Sequence, residues 1–184
     1  LTEGASDLST RVATTAHVDW SPDEWTKKHD KKATADISKV LQEVVSRPGW
    51  VSGNAVVLLI TYVSGGGVGA RRTATSYGKT GPSLSTTWTQ TTALPPPPEN
   101  TYSVTYGLAS GMDSGEECMD SHKVRLASTD LELSHDPTFG NCEQSVAVRW
   151  GGLKIAQGAT VKAASVKFHV KEVAGKGKIT VRIY

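Results

Sequence analysis

The sequence predicts an all-β chain, a jelly-roll-like antiparallel β-sandwich with one short amphipathic helix. Two observations lead there. Apolar and polar residues alternate with period two over several short stretches, the mark of strands with one buried face. Only one stretch carries the 3.6-residue period of a helix.

That helix comes first among the clear elements. Ile37, Val40, Leu41, Val44 and Val45 fall on one helical face, Thr34 or Asp36 can cap the start, and Pro48-Gly49 stops it. Val56 to Val63 follows as a more fully buried strand. The run GGGVG at residues 65–69 lacks the Lys-Ser/Thr of a phosphate loop and precedes no helix pattern, so it reads as a hairpin tip. Val124 to Leu133 reads as one strand containing Leu131 and Leu133, and Val146, Val148 and Trp150 mark another. Val166, Phe168 and Val170 alternate with Lys167, His169 and Lys171. Ile179, Val181 and Ile183 alternate with Thr180, Arg182 and Tyr184. The glycine-rich residues 174–178 between these last two strands suggest a hairpin turn.

Composition narrows the function classes. With 184 residues the chain can bury a real core, and 38% hydrophobic and 21% charged residues exclude a disordered tail. A net charge of +2 with dispersed lysines gives no nucleic-acid footprint. No apolar run approaches the ~18 residues of a membrane helix. The start Leu1-Thr2-Glu3 has neither initiator Met nor signal-peptide character, so an internal or mature segment is expected. Cys118 and Cys142 are compatible with one disulfide stapling polar, turn-like segments; two buried thiols are the alternative.

The residues 89–101, TQTTALPPPPENT, are the distinctive low-complexity segment. Pro95, Pro96, Pro97 and Pro98 favour extended polyproline II, and 13 residues of it at ~3.1 Å each span roughly 40 Å. An interdomain spacer is expected rather than a loop within one domain, since structureless loops of this length are uncommon in compact domains. Thr89, Thr91, Thr92 and the four prolines are the expected glycosylation sites, because Thr/Pro-rich tracts are typical of O-glycosylated stalks.

Several stretches resemble the extracellular β-sandwich repeats labelled DNRLRE or disaggregatase-related. In residues 102–184 they are Ser128-Thr129-Asp130-Leu131-Glu132-Leu133, Val148-Arg149-Trp150-Gly151-Gly152-Leu153 and Val161 to Val170. In residues 1–88 they are Trp20-Ser21-Pro22, Arg47-Pro48-Gly49-Trp50 and Ser52-Gly53-Asn54-Ala55. The resemblance implies that the DLEL half precedes the RPGW half, whereas here the order is reversed. Residues 1–88 then read as the C-terminal half of one module, 89–101 as a spacer and 102–184 as the N-terminal half of the next. A circularly permuted single module is the other arrangement. In the tandem reading, the two halves of one copy make few contacts, and neighbouring copies join head-to-tail into a filament.

Catalytic constellations are not found. The five histidines, His17, His29, His122, His135 and His169, sit beside no recognisable nucleophile, so an enzyme is not expected. Asp113, Glu116 and Asp120 crowd one stretch and offer a weak calcium site, with a solvated acidic loop as the plain alternative; no other cofactor is expected. Trp20 and Trp25 lie in a polar stretch and could stack on sugars, or pack in the core. The expectation is therefore a structural, extracellular repeat unit whose partners are copies of itself and glycans, with no nucleic acid and no membrane span. A carbohydrate-binding module is the alternative.

Overall fold

Alternation gives each long strand one apolar face, and two sheets bury those faces against each other. The structure is a computed structural model that describes every residue except 2, 5, 6, 66–69, 79, 92–98, 174 and 175. The elements are β1 (Val18–Trp20), β2 (Lys31–Ala33), α1 (Ser38–Val45), β3 (Val56–Ser64), β4 (Arg72–Thr75), β5 (Ser83–Thr91), β6 (Glu99–Tyr106), β7 (Ser114–Cys118), β8 (Val124–Leu126), β9 (Asp130–Leu133), β10 (His135–Asp136), β11 (Cys142–Trp150), β12 (Thr160–Glu172) and β13 (Thr180–Ile183).

The larger sheet has seven strands in the order β1-β13-β3-β11-β7-β8, with β10 also on β11. The smaller has six in the order β6-β5-β12-β4-β9, with β2 also on β12. Every pairing is antiparallel. Leu58, Ile60, Val146, Val148, Trp150, Val181 and Ile183 of the larger sheet meet Leu84, Trp88, Leu131, Leu133, Val166, Phe168 and Val170 of the smaller in one core cluster. Fully burying each such side chain is worth roughly 1.5–3 kcal/mol. The chain is thus an all-β sandwich with one α-helix.

Helix α1 lies against β12. Its apolar face buries Val40, Leu41 and Val45. The N-cap position falls on Ile37, with no side-chain cap bond, instead of on Asp36 or Thr34. Asp36, one residue earlier, accepts from the Ser38 amide at 3.1 Å and from the Ala164 amide at 2.9 Å and so ties the start of the helix to the strand. Thr34 instead accepts from the Val166 amide at 3.1 Å.

The expectation that the halves of one copy make few contacts is corrected. Strand β3 pairs with β11 and β13, β4 and β5 pair with β12, and β1 pairs with β13. Each sheet draws strands from both 1–88 and 102–184, so the halves cover each other's apolar faces within one chain. This is the contact pattern the permuted arrangement requires. The spacer expectation is corrected at its flanks: Thr89 to Thr91 belong to β5, Glu99 to Thr101 belong to β6, and Thr91 is the register partner of Glu99. Residues 92–98 therefore connect adjacent antiparallel strands instead of separating two bodies. The expected conformation of Pro95 to Pro98 lies outside the described residues.

Three further expectations change. Val124 to Leu133 is two strands in different sheets, broken where Ala127 takes φ +53°. Strands β3 and β4, like β12 and β13, belong to different sheets, so neither pair forms the hairpin expected around residues 65–69 or 174–178.

Candidate functional site

The expected disulfide is present. Cys118 ends β7, Cys142 begins β11, these strands are neighbours, and the two sulfurs are bonded. The bond thus staples strand ends rather than loops. Gly140 passes so close that a Cβ there would lie 3.0 Å from each sulfur, and its φ of +83° also excludes most side chains.

The expected calcium ligands do not converge. Asp113 accepts from Arg149 at 2.8 Å and from the Ser110 amide at 3.0 Å, Glu116 points into the interior, and Asp120 is exposed. What the structure assembles is a different, buried group: Glu116 of β7, Glu132 of β9 and Asp136 of β10 bring carboxylate oxygens within 4.8 Å of one another. Glu132 and Asp136 lie far from Glu116 along the chain, and no local pattern shows that β7 and β9 meet. Arg125 of β8 donates to Glu116 and Asp136, at 3.0 Å each, and lies over the Phe139 ring at 4.6 Å. With a guanidinium already on two of the three carboxylates, the group favours a shared proton over a cation. Burial pushes Glu132 up to about 9, and its hydrogen bond to Glu116 and the neighbouring negative charges add to that. Burial also raises Glu116, against the offsetting bonds from Glu132 and Arg125. Asp136 goes the other way: burial alone would raise it, but the Thr138 hydroxyl and amide, the Phe139 amide and Arg125 hold it low. Glu116 also accepts from the Glu132 amide at 2.6 Å, capping the free edge of β9.

The aromatic candidates are not a sugar platform. Trp20 is 8% exposed and stacks on Phe168 at 6.2 Å, and Trp25 is 4% exposed. Both are core residues, because the polar stretch around them folds over the sandwich. Trp50 is buried, as its place beside the helix end suggests, and donates its indole N–H to the Ile155 carbonyl. Of the expected glycosylation sites, Thr89 is buried and hydrogen-bonds Glu99. Thr92 and the prolines lie outside the described residues, and the Thr91 side chain is not described.

Across the larger sheet's outer face, residues 7–14 form a strap. The Leu8 and Ser9 amides each donate to Glu117 at 2.9 Å, and His122 lies 3.1 Å from the same carboxylate. Two cavities of about 310 and 280 Å³ flank the strap and share Arg11, Ala13, Leu59 and Tyr184 as walls. Arg11, in the wall between them, is held by Asp7 at 2.9 Å.

The remaining candidate is an edge. Strand β6 pairs with β5 over eight residues without a register shift, and Glu99 to Ser103 and Thr105 are exposed. On the outer face, Ser85 pairs with Thr105 and Thr87 with Ser103 through hydroxyls 3.0 Å apart. On the inner face, Tyr102 stacks on Trp88 at 5.5 Å yet stays 42% exposed. Among the described residues, nothing pairs with the second edge of β6.

No family model matches the chain, and no curated protein is significantly similar to it. No helix among the described residues is long and apolar enough to cross a membrane.

Proposed function

We propose that the chain is a non-catalytic structural module of an extracellular fibre that assembles with copies of itself. The observation that carries this reading is β6, an eight-residue strand with one edge unpaired among the described residues. Such an edge is a ready template for another chain and is normally blunted. Two further features support it. The Cys118–Cys142 disulfide fits an oxidising compartment. The resemblance to extracellular sandwich repeats also points outside the cell, with head-to-tail neighbours as the assembly and glycans on Thr91, Thr92 and Pro95 to Pro98 as decoration.

Sedimentation velocity and negative-stain imaging of residues 1–184 test the reading. Concentration-dependent oligomers or fibres are expected. A chain that stays monomeric at about 100 μM, an association weaker than roughly 5.5 kcal/mol, would sink it.

A further inference from the structure

We propose that β6 pairs antiparallel with β6 of a second copy about a two-fold axis at Tyr102, extending the smaller sheet across two molecules. The inference rests on the self-assembly reading and names its contact.

The other sheet edges are blunted. At the ends of the larger sheet, β1 and β8 have three residues each. The far end of the smaller sheet, β9, has four residues, and the Glu116 carboxylate caps its Glu132 amide at 2.6 Å. Among the described residues, strand β6 carries none of the usual protections. From Glu99 to Tyr106 it has no Lys, no Pro and no bulge, and its only charge is Glu99 at one end.

The occupant follows from the strand's complementarity to itself. Neighbouring antiparallel strands keep opposite residues on the same face of the sheet. A two-fold axis that joins two β6 edges runs normal to the sheet, so the residue on the axis must face its own copy. With Tyr102 there, Thr101 meets Ser103, Asn100 meets Val104 and Glu99 meets Thr105. Thr101 opposite Ser103 continues the hydroxyl pairs already present between β5 and β6. Glu99, which accepts from the Thr89 hydroxyl within the chain, gains the Thr105 hydroxyl of the second copy. The two exposed Tyr102 rings meet and lengthen the Trp88–Tyr102 stack to four rings. The two Glu99 carboxylates lie ~20 Å apart, six residues at ~3.4 Å each, which is beyond screening range in physiological salt. Moving the axis to Ser103 offsets the rings and leaves Glu99 opposite Gly107, beyond the strand. Because the contact is two-fold it closes on itself. It builds a dimer, and a fibre then links dimers through a second, head-to-tail contact.

Tyr102→Cys places a thiol on the axis, and the native cysteines are both committed to the disulfide. Mild oxidation should convert that variant to a covalent dimer, while Ser103→Cys should stay uncrosslinked. Separately, Thr101→Lys with Ser103→Lys sets like charges opposite each other, which should raise the dimer dissociation constant at least ~10-fold while the monomer melts as before. Crosslinking through Ser103→Cys in place of Tyr102→Cys, or an unchanged dissociation constant in the lysine variant, overturns the proposal. Oligomers without either crosslink overturn it and leave the assembly reading standing; a monomer at every concentration takes both down.

Discussion

Glu132 shows how far a single side chain can depart from its sequence context. In DLEL it alternates with Leu131 and Leu133 and reads as the solvent-facing residue of a half-buried strand. Instead it is 7% exposed, because β7 and β10 close over the free edge of β9 and bring Glu116 and Asp136 beside it. Its carboxyl, pushed up to about 9 in the folded chain from an ordinary 4.5, binds a proton more tightly folded than unfolded. The stabilisation from that proton is complete below about pH 4.5 and is lost as pH rises towards about 9. Glu116, also raised, acts in the same direction. Asp136, Glu117 and Asp36 are held low and act oppositely, so their stabilisation is lost in stronger acid. The melting temperature should therefore decline between pH 5 and pH 9. Glu132→Gln keeps the shape of the protonated acid and removes the titration, and should flatten that decline. Parallel melting profiles for the two proteins would show that Glu132 is not the group responsible.

At the scale of elements, what the sequence reveals depends on whether the buried face is apolar. Strands β3, β11, β12 and β13 are legible because Leu58, Val148, Phe168 and Val181 mark their inward faces. Strand β7, Ser-Gly-Glu-Glu-Cys, is buried at every position yet carries two carboxylates, so it reads as an acidic loop. Strands β5 and β6 are threonine- and serine-rich on their outer faces, and the adjacent prolines make the region look like a linker. Strand β4, Arg-Thr-Ala-Thr, carries no apolar alternation to mark it, although Arg72 within it ties three segments together. Its guanidinium, 1% exposed, donates to the carbonyls of Pro22, Asp23 and Gly177 at 3.3, 2.9 and 2.8 Å. With the Arg71 carbonyl at 3.1 Å it serves four carbonyls at different angles, which suit a planar fork and not an ammonium. Arg72→Lys should therefore cost about 3 kcal/mol by urea denaturation, nearly as much as Arg72→Met, since either leaves buried carbonyls unpaired. A lysine variant as stable as the parent would mean that the fork geometry is dispensable. The disulfide works at the same scale through the unfolded chain: with a sequence separation of 24, reducing it should cost about 3 kcal/mol.

For the molecule as a whole, the decisive fact is that each sheet mixes strands from both halves, which no local pattern encodes. Period-two alternation says which face of a strand is buried but not which strand lies beside it, so the individual strands are legible while the mutual packing of the two halves is not. The pairings give a direct test. Strand β12 sits between β5 and β4, and β3 sits between β11 and β13, so among the described residues the two halves are held together by seven pairings other than β5–β6: β1–β13, β2–β12, β3–β11, β3–β13, β4–β9, β4–β12 and β5–β12. A protease site substituted for residues 94–97 and then cut should leave the two fragments co-eluting as one folded particle, released only by denaturant. The melting temperature should fall, because the cut makes association of the fragments part of folding and restores the chain entropy that the connection had removed. Replacing residues 92–98 by Asn-Gly should leave the fold intact, since Thr91 and Glu99 are already register partners and a two-residue turn joins such positions directly. Fragments that separate in native buffer after cleavage, together with an Asn-Gly variant that fails to fold, would mean that the halves need neighbouring copies to complete them.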